Sequence, residues 1–301
     1  MILNETFTLS HGVKVPKLGI GTWMIENEKA AQVVQDAAEI GYRHFDTAQA
    51  YGNERGVGKG IRACGISRGE LFVTTKLAAE CKTYPEAKQR IDASLNALGL
   101  DYIDLMIIHS PQPWPDFHSG QHFFQGNLEA WRALEEAYRG GTLRAIGVSN
   151  FEKVDLDNIL NHGTIKPMVN QILAHVSNTP FDLINYTQSK GILVEAYSPV
   201  AHGAILNNRD LATMAQRYDV TIAQLCIRYC IQLGMLPLPK SANPEHMRSN
   251  AVVDFEISDA DMEVLKAAAP IKDYGEASMF PVYGGGGPAG GPALGRSARR
   301  T

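Results

Sequence analysis

The run Arg43-His44-Phe45-Asp46-Thr47-Ala48-Gln49-Ala50-Tyr51-Gly52-Asn53-Glu54 decides how the chain is read: a short apolar-flanked segment ends in an acid, and a tyrosine follows within the next turn of chain. An isolated phenol has a pKa of about 10, so near neutral pH it neither ionises nor transfers its proton readily, and it needs a cation beside it to become a useful acid. Two later runs end in candidate partners. Phe72-Val73-Thr74-Thr75-Lys76 is β-rich and ends in lysine, and Ile103-Asp104-Leu105-Met106-Ile107-Ile108-His109 is apolar and ends in histidine. If these runs are parallel strands, Asp46, Tyr51, Lys76 and His109 gather at one carboxyl-terminal rim.

Outward from that stretch the pattern repeats. Strand-like runs at 18–23, 71–76, 103–109, 143–148, 168–171, 192–197 and 235–240 alternate with helical spacing at 28–40, 55–64, 85–98, 128–138, 153–160, 181–189, 211–218 and 222–231. Gly99 stands where the helix at 85–98 should stop. Strand then helix, repeated, implies a parallel sheet with right-handed crossovers, and about eight units with no break in composition close most simply as one α/β (β/α)8 TIM barrel with its site at the carboxyl-terminal rim. An alternating stretch at 7–16 around a glycine-containing turn predicts an amino-terminal β-hairpin. A carboxyl-terminal extra helix is expected at 258–268, capped by Ser258 or Asp259, with a loop after it. The barrel is therefore assigned to 1–283. The Gly/Pro-rich stretch 284–301 cannot bury enough apolar surface to fold alone and reads as a mobile tail.

The 301 residues are 45% hydrophobic, ample for a large core, with a net charge of −4. No basic cluster lies outside the extreme tail, which argues against a nucleic-acid partner. No signal-like amino terminus or bilayer-length apolar run is evident, so no membrane is expected and a cytoplasmic protein is. Cys64, Cys81, Cys226 and Cys230 are too few for a disulfide scaffold. Cys226 and Cys230 are one helical turn apart among apolar neighbours and read as buried thiols.

Several motif-like features are weak. Gly19 and Gly21 suggest a dinucleotide fingerprint, but Met24 takes the third glycine position; Gly56, Gly58 and Gly60 surround Lys59, but Gly60 stands where a phosphate loop needs serine or threonine. His118 and His122 are four apart without the glutamate or helix pattern of a zinc site, so no metal is expected. The long 110–126 connection is expected to wall a pocket, with Trp114 and Phe117 either facing a substrate or packing the loop down.

Asp46-Thr47-Ala48 with Tyr51-Gly52-Asn53-Glu54, then Thr75-Lys76, Leu100-Asp101-Tyr102-Ile103-Asp104-Leu105 with His109, and Gly147-Val148-Ser149-Asn150-Phe151 together resemble the aldo-keto reductase superfamily, in order, from about residue 7 to about residue 269. The resemblance implies NAD(P)H-dependent reduction of small-molecule aldehydes and ketones. Asp46, Tyr51, Lys76 and His109 match its tetrad, with Tyr51 as the proton donor. Tyr197-Ser198-Pro199 matches the motif whose tyrosine stacks on the nicotinamide, and Ser149, Asn150 and Gln171 match residues that bond its carboxamide. Gly21 and Thr22 fall beside the cofactor, Lys240-Ser241 at the adenosine phosphate, and Asn250 at the adenine. The hairpin resembles the plug at the bottom of the family's barrel.

Two departures bear on function. The usual phosphate-binding arginine is replaced by His246, with Arg248 nearby, which leaves NADPH expected and NADH possible. Ser110 follows the histidine where many members carry tryptophan, leaving the substrate pocket to Trp23, Trp114 and the carboxyl-terminal segment. A monomer or weak oligomer is expected. The alternative is a nicotinamide-binding regulatory or redox-sensor barrel with little turnover; an isomerase or lyase barrel would leave Tyr197-Ser198-Pro199 and Lys240-Ser241 unexplained.

Overall fold

Two strands precede the barrel. β1 (Thr6–Thr8) and β2 (Lys14–Pro16) form an antiparallel hairpin, and Leu9 and Val15 from it are buried against Phe72, Leu105, Ile107 and Val169. In the computed structural model, which describes residues 1–284, eight strands then run parallel in chain order. They are β3 (Ile20–Gly21), β4 (His44–Asp46), β5 (Phe72–Leu77), β6 (Ile103–Ile108), β7 (Leu143–Ser149), β8 (Val169–Leu173), β9 (Leu193–Tyr197) and β10 (Leu236–Leu238). A parallel bridge between Gly21 and Lys240, with the Gly21 amide donating to Pro239 O at 3.0 Å, joins the last strand to the first. The anticipated (β/α)8 barrel is thus the fold, with its amino-terminal hairpin. Residues 285–301, most of the expected tail, lie outside the described residues.

The helices are α1 (Asn27–Ile40), α2 (Glu54–Ala63), α3 (Tyr84–Leu98), α4 (Phe124–Arg139), α5 (Lys153–His162), α6 (Phe181–Ser189), α7 (Arg209–Arg217), α8 (Ile222–Gln232), α9 (Pro244–Ala251) and α10 (Asp259–Lys266). α3 stops at Gly99, whose left-handed φ of 62° lets its amide reach Leu95 O. Ser258 caps α10, accepting from the Asp261 amide at 3.2 Å. The first barrel strand is shorter than the 18–23 expected. α9 is an addition to the expected elements. Its polar sequence carries little apolar periodicity, but Asn243 at the cap and Pro244 in the first turn are helix-start signals.

The two-residue period of a strand sorts side chains into two cores. On β6, Leu105 and Ile107 point into the barrel and Met106 and Ile108 out to the helices. The inward positions become polar toward the carboxyl ends of the strands: Asp46, Thr74, Lys76, Ser149, Gln171 and Glu195 are all buried there. Lys76 in a buried strand therefore sits inside the barrel, where a charge must be paired.

Packing accounts for the glycines of α2. A Cβ at Gly56 would collide with Asn27 O of α1, one at Gly60 would meet Val34 Cβ at 2.6 Å, and one at Gly58 would run into Leu98 O at the end of α3. The helix is wedged between two neighbours, and only glycine lets the backbones approach this closely. Gly58→Ala would gain about 1 kcal/mol of helix propensity but overpack against immovable backbone, at about 1–3 kcal/mol. The expected net result is a lowered urea midpoint with an unchanged m-value.

Candidate active site

The four strand-end residues converge. The Lys76 ammonium forms an ion pair with Asp46 Oδ1, donates to Thr47 O at 2.9 Å and reaches the Tyr51 hydroxyl at 3.2 Å. Its three N–H donors thus have three oxygen partners. Asp46 is held in turn: its Oδ2 accepts from Gln171 Nε2 at 2.9 Å, and its backbone carbonyl accepts from the Thr22 hydroxyl at 2.9 Å. A short helical turn, Gln49–Tyr51, brings the phenol over the lysine. Gln49 fastens it, donating to Ser94 Oγ at 2.8 Å and accepting from the Ala78 amide at 2.9 Å. The His109 ring stands edge-on to Tyr51, centroids 5.7 Å apart.

Burial pushes the Tyr51 phenol up, and this outweighs the lowering by the Lys76 charge, so the group stays a protonated donor at neutral pH. Burial pulls on Lys76 in the opposite sense, but Asp46 and Tyr51 more than offset it and the ammonium is held above its ordinary value. Burial, with Lys76 adding to it, pushes His109 well below the usual imidazole range. The result is an ammonium, a phenol and a neutral imidazole side by side.

Asp46, Tyr51 and His109 open onto one cavity of about 2080 Å³, well above the roughly 300–1,000 Å³ of an ordinary small-molecule pocket. It reaches past Ser149, Asn150, Gln171 and Tyr197-Ser198-Pro199 to Lys240, Ser241, His246 and Asn250. Gly21 lines it, and a Cβ there would meet nothing nearer than Leu238 O at 3.6 Å. Barrel packing therefore does not demand this glycine. Asn150 is already engaged: its Nδ2 donates to His109 O at 3.0 Å, and its Oδ1 accepts from the Tyr197 hydroxyl at 2.8 Å. A carboxamide-bearing ligand would have to exchange with the Tyr197 bond.

Two residues anticipated as cofactor contacts are elsewhere. Thr22 is fully buried behind the wall, where it ties down Asp46. Arg248 is exposed and does not line the cavity. On α9, His246, Ser249 and Asn250 share one helical face, Met247 goes to the core, and Arg248 falls on the outer side.

Trp23 and Trp114 do line the cavity, and Trp114 packs edge-on to His109, ring centroids 5.0 Å apart. Phe117 lines it as well. The carboxyl-terminal segment expected at the pocket contributes Phe280 and Tyr283, and His202 was missed from sequence: Trp23 contacts His202 at 5.0 Å and Phe280 at 4.8 Å, and the Tyr283 hydroxyl lies 2.8 Å from Ser198 Oγ. Glu195, a buried partner of Gln171, was also missed; a lone acid in the otherwise apolar run 192–197 was its only trace. Cys226 and Cys230 are buried in α8, where burial pushes the Cys226 thiol up to about 12. His122 pairs with Asp155 at 3.3 Å. Among the described residues, no group of three or more His, Cys, Asp or Glu converges as metal ligands would, and no helix is long and apolar enough to cross a membrane.

A barrel with this rim defines a class, and the comparisons give the family. The chain matches the Aldo/keto reductase family over residues 17–270 and belongs to it. It is 41% identical over 272 residues to an uncharacterised oxidoreductase of Bacillus subtilis, covering 88% of this chain and 93% of that one. To the glyoxal reductase of the same organism it is 39% identical over 267 residues, with the same coverage. Among solved structures, the Bombyx mori aldo-keto reductase in complex with NADP superposes with a TM-score of 0.82 at 30% identity, over 93% of this chain and 98% of that one. An aldo/keto reductase from Brucella melitensis gives 0.81 at 35%, over 87% and 98%. The chain is accordingly an NAD(P)H-dependent oxidoreductase.

Lys76→Met would leave Asp46 buried and uncompensated, at a cost of about 3–5 kcal/mol. Urea denaturation is expected to register this loss, and Asp46→Asn combined with it is expected to recover part.

Proposed function

We propose that the protein reduces aldehydes and ketones to alcohols, with Tyr51 as general acid. The observation that carries this is the half-buried Tyr51 hydroxyl standing 3.2 Å from the Lys76 ammonium at the floor of a cavity. A nicotinamide held by this chain would supply hydride to the carbonyl carbon. The carbonyl oxygen then gains negative charge and needs a proton, which the Tyr51 hydroxyl is placed to give. The resulting phenolate is stabilised by Lys76, and Asp46 keeps that ammonium charged and oriented. Neutral His109 offers a ring N–H to the substrate oxygen and orients it. Trp23, Trp114 and Phe117 exclude water from the reacting end.

The cavity fits an elongated dinucleotide. Ser149, Asn150, Gln171 and Tyr197 would hold the nicotinamide end, and Lys240, Ser241, His246 and Asn250 the adenosine end. Only Lys240 brings a permanent positive charge to the second group. A 2′-phosphate gains from it, but not from the forked, bidentate pairing a guanidinium provides, so NADPH is bound with NADH still accepted. The likeness to a glyoxal reductase supports small aldehydes as acceptors.

Tyr51→Phe is expected to lower the rate of aldehyde reduction by about 10²-fold or more, measured as loss of NADPH absorbance, while cofactor affinity stays nearly unchanged. Wild-type turnover in that variant would refute the assignment. His246→Arg is expected to raise the preference for NADPH over NADH by about tenfold, the gain of roughly one charge-assisted bond. An unchanged ratio of dissociation constants would place phosphate recognition elsewhere.

A further inference from the structure

Glu195 lies on the inward face of β9, two residues before Tyr197, and is completely buried. Its Oε2 accepts from Gln171 Nε2 at 2.8 Å, and the same nitrogen donates to Asp46 Oδ2 at 2.9 Å. Both protons of the Gln171 amide are therefore committed to acids inside the barrel. The Gln171 side chain lines the cavity, and its carbonyl oxygen forms no hydrogen bond among the described residues. Among the described residues Glu195 Oε1 is buried without a partner, and the one hydrogen bond of this acid is to Gln171.

We propose that Glu195 is a positioning residue: together with Asp46 it clamps the Gln171 amide so that its carbonyl oxygen alone is presented to the cavity, as an acceptor for the amino group of the nicotinamide carboxamide. The inference rests on the assignment of Gln171 to the nicotinamide end. An unclamped amide could turn either its oxygen or its nitrogen outward. A clamped one offers a single polarity, and so favours one orientation of the carboxamide and of the ring that carries it.

The surroundings of Glu195 suit a neutral acceptor. The other inward titratable groups are Asp46 and His44 on β4, Lys76 on β5 and, nearer the rim, His109 after β6 and Tyr197 on β9 itself; β8 contributes Gln171, and Leu236 of β10 pairs with Glu195 in register. Burial, with the Asp46 charge adding to it, pushes Glu195 up to about 8. The carboxyl thus remains neutral near pH 7 and accepts from Gln171 without placing a second negative charge beside Asp46.

The test compares Glu195→Met, which removes the acceptor at similar volume, with Glu195→Gln, which keeps a neutral one. Fluorescence titrations measure the affinity of each for NADP⁺ and for 2′-phospho-ADP-ribose, which lacks the nicotinamide. The expected result is about fivefold weaker NADP⁺ binding in Glu195→Met, the worth of one hydrogen bond, unchanged affinity for the nicotinamide-free ligand, and recovery to within about twofold in Glu195→Gln. Equal weakening toward both ligands, or no weakening, overturns the proposal. Wild-type protein that binds the two ligands equally well would instead count against the assignment of Gln171 and its neighbours to the nicotinamide. Should Glu195→Met fail to fold, the pH dependence of NADP⁺ binding decides. Wild type and Glu195→Gln are expected to agree below pH about 8 and diverge above it, where only wild type ionises; coincident curves on both sides overturn the proposal.

Discussion

An ammonium group inside a β-barrel is the constraint on which the rest of the site depends. Lys76 is 1% exposed, and withdrawing such an ion from water costs several kcal/mol unless its donors are satisfied. The chain meets this with one carboxylate, one backbone carbonyl and one phenol. The carboxylate ends β4, the carbonyl belongs to the next residue, and the phenol follows on the turn beyond. Choosing lysine at this inward position therefore dictates an acid on the neighbouring strand and fixes where the following turn can run. Thr22 and Gln49, on either side, hold the acid and the turn in place.

The same burial sets the protonation states. For Tyr51 the cost of forming a phenolate away from water exceeds the help from Lys76, so the proton stays on oxygen until a stronger demand develops in the substrate. For Lys76 the balance tips the other way, because its counter-charge is in direct contact. For His109 both effects act together and keep the ring neutral. One low-dielectric environment thus yields three different outcomes, decided in each case by whether the neighbouring charges outweigh the cost of burial.

The fold and the floor of the site were legible because both follow from short-range rules. Strand period two places Lys76 and His109 on the inward face once the runs that end in them are identified, and alternation with helices places those ends on one rim. What was not legible depended on phase or on distant contacts. Arg248 needed the rotation of α9, which the polar sequence around Met247 concealed. Thr22 needed the register of β3 against β4, since one residue decides whether a side chain faces the cavity or the wall. Glu195 needed the knowledge that Gln171 turns its nitrogen downward, and no property of the β9 sequence carries that.

The upper wall is the part least determined by the barrel. The 271–283 segment is fastened by the Ile271 amide to Ser177 O at 3.0 Å, by His175 against the Tyr274 hydroxyl at 3.0 Å, and by Tyr283 to Ser198. From there it delivers Phe280 and Tyr283 to Trp23. None of these contacts involves the Lys76 network. Aromatic packing of this kind stabilises through area and edge-to-face geometry, which other large side chains can supply in other arrangements. The ion pair beneath has no such latitude, because each of its oxygens answers a specific donor. Chemistry and specificity are therefore separable in this molecule: the floor is fixed by charge satisfaction, and the wall above it can change shape without leaving a buried charge unpaired.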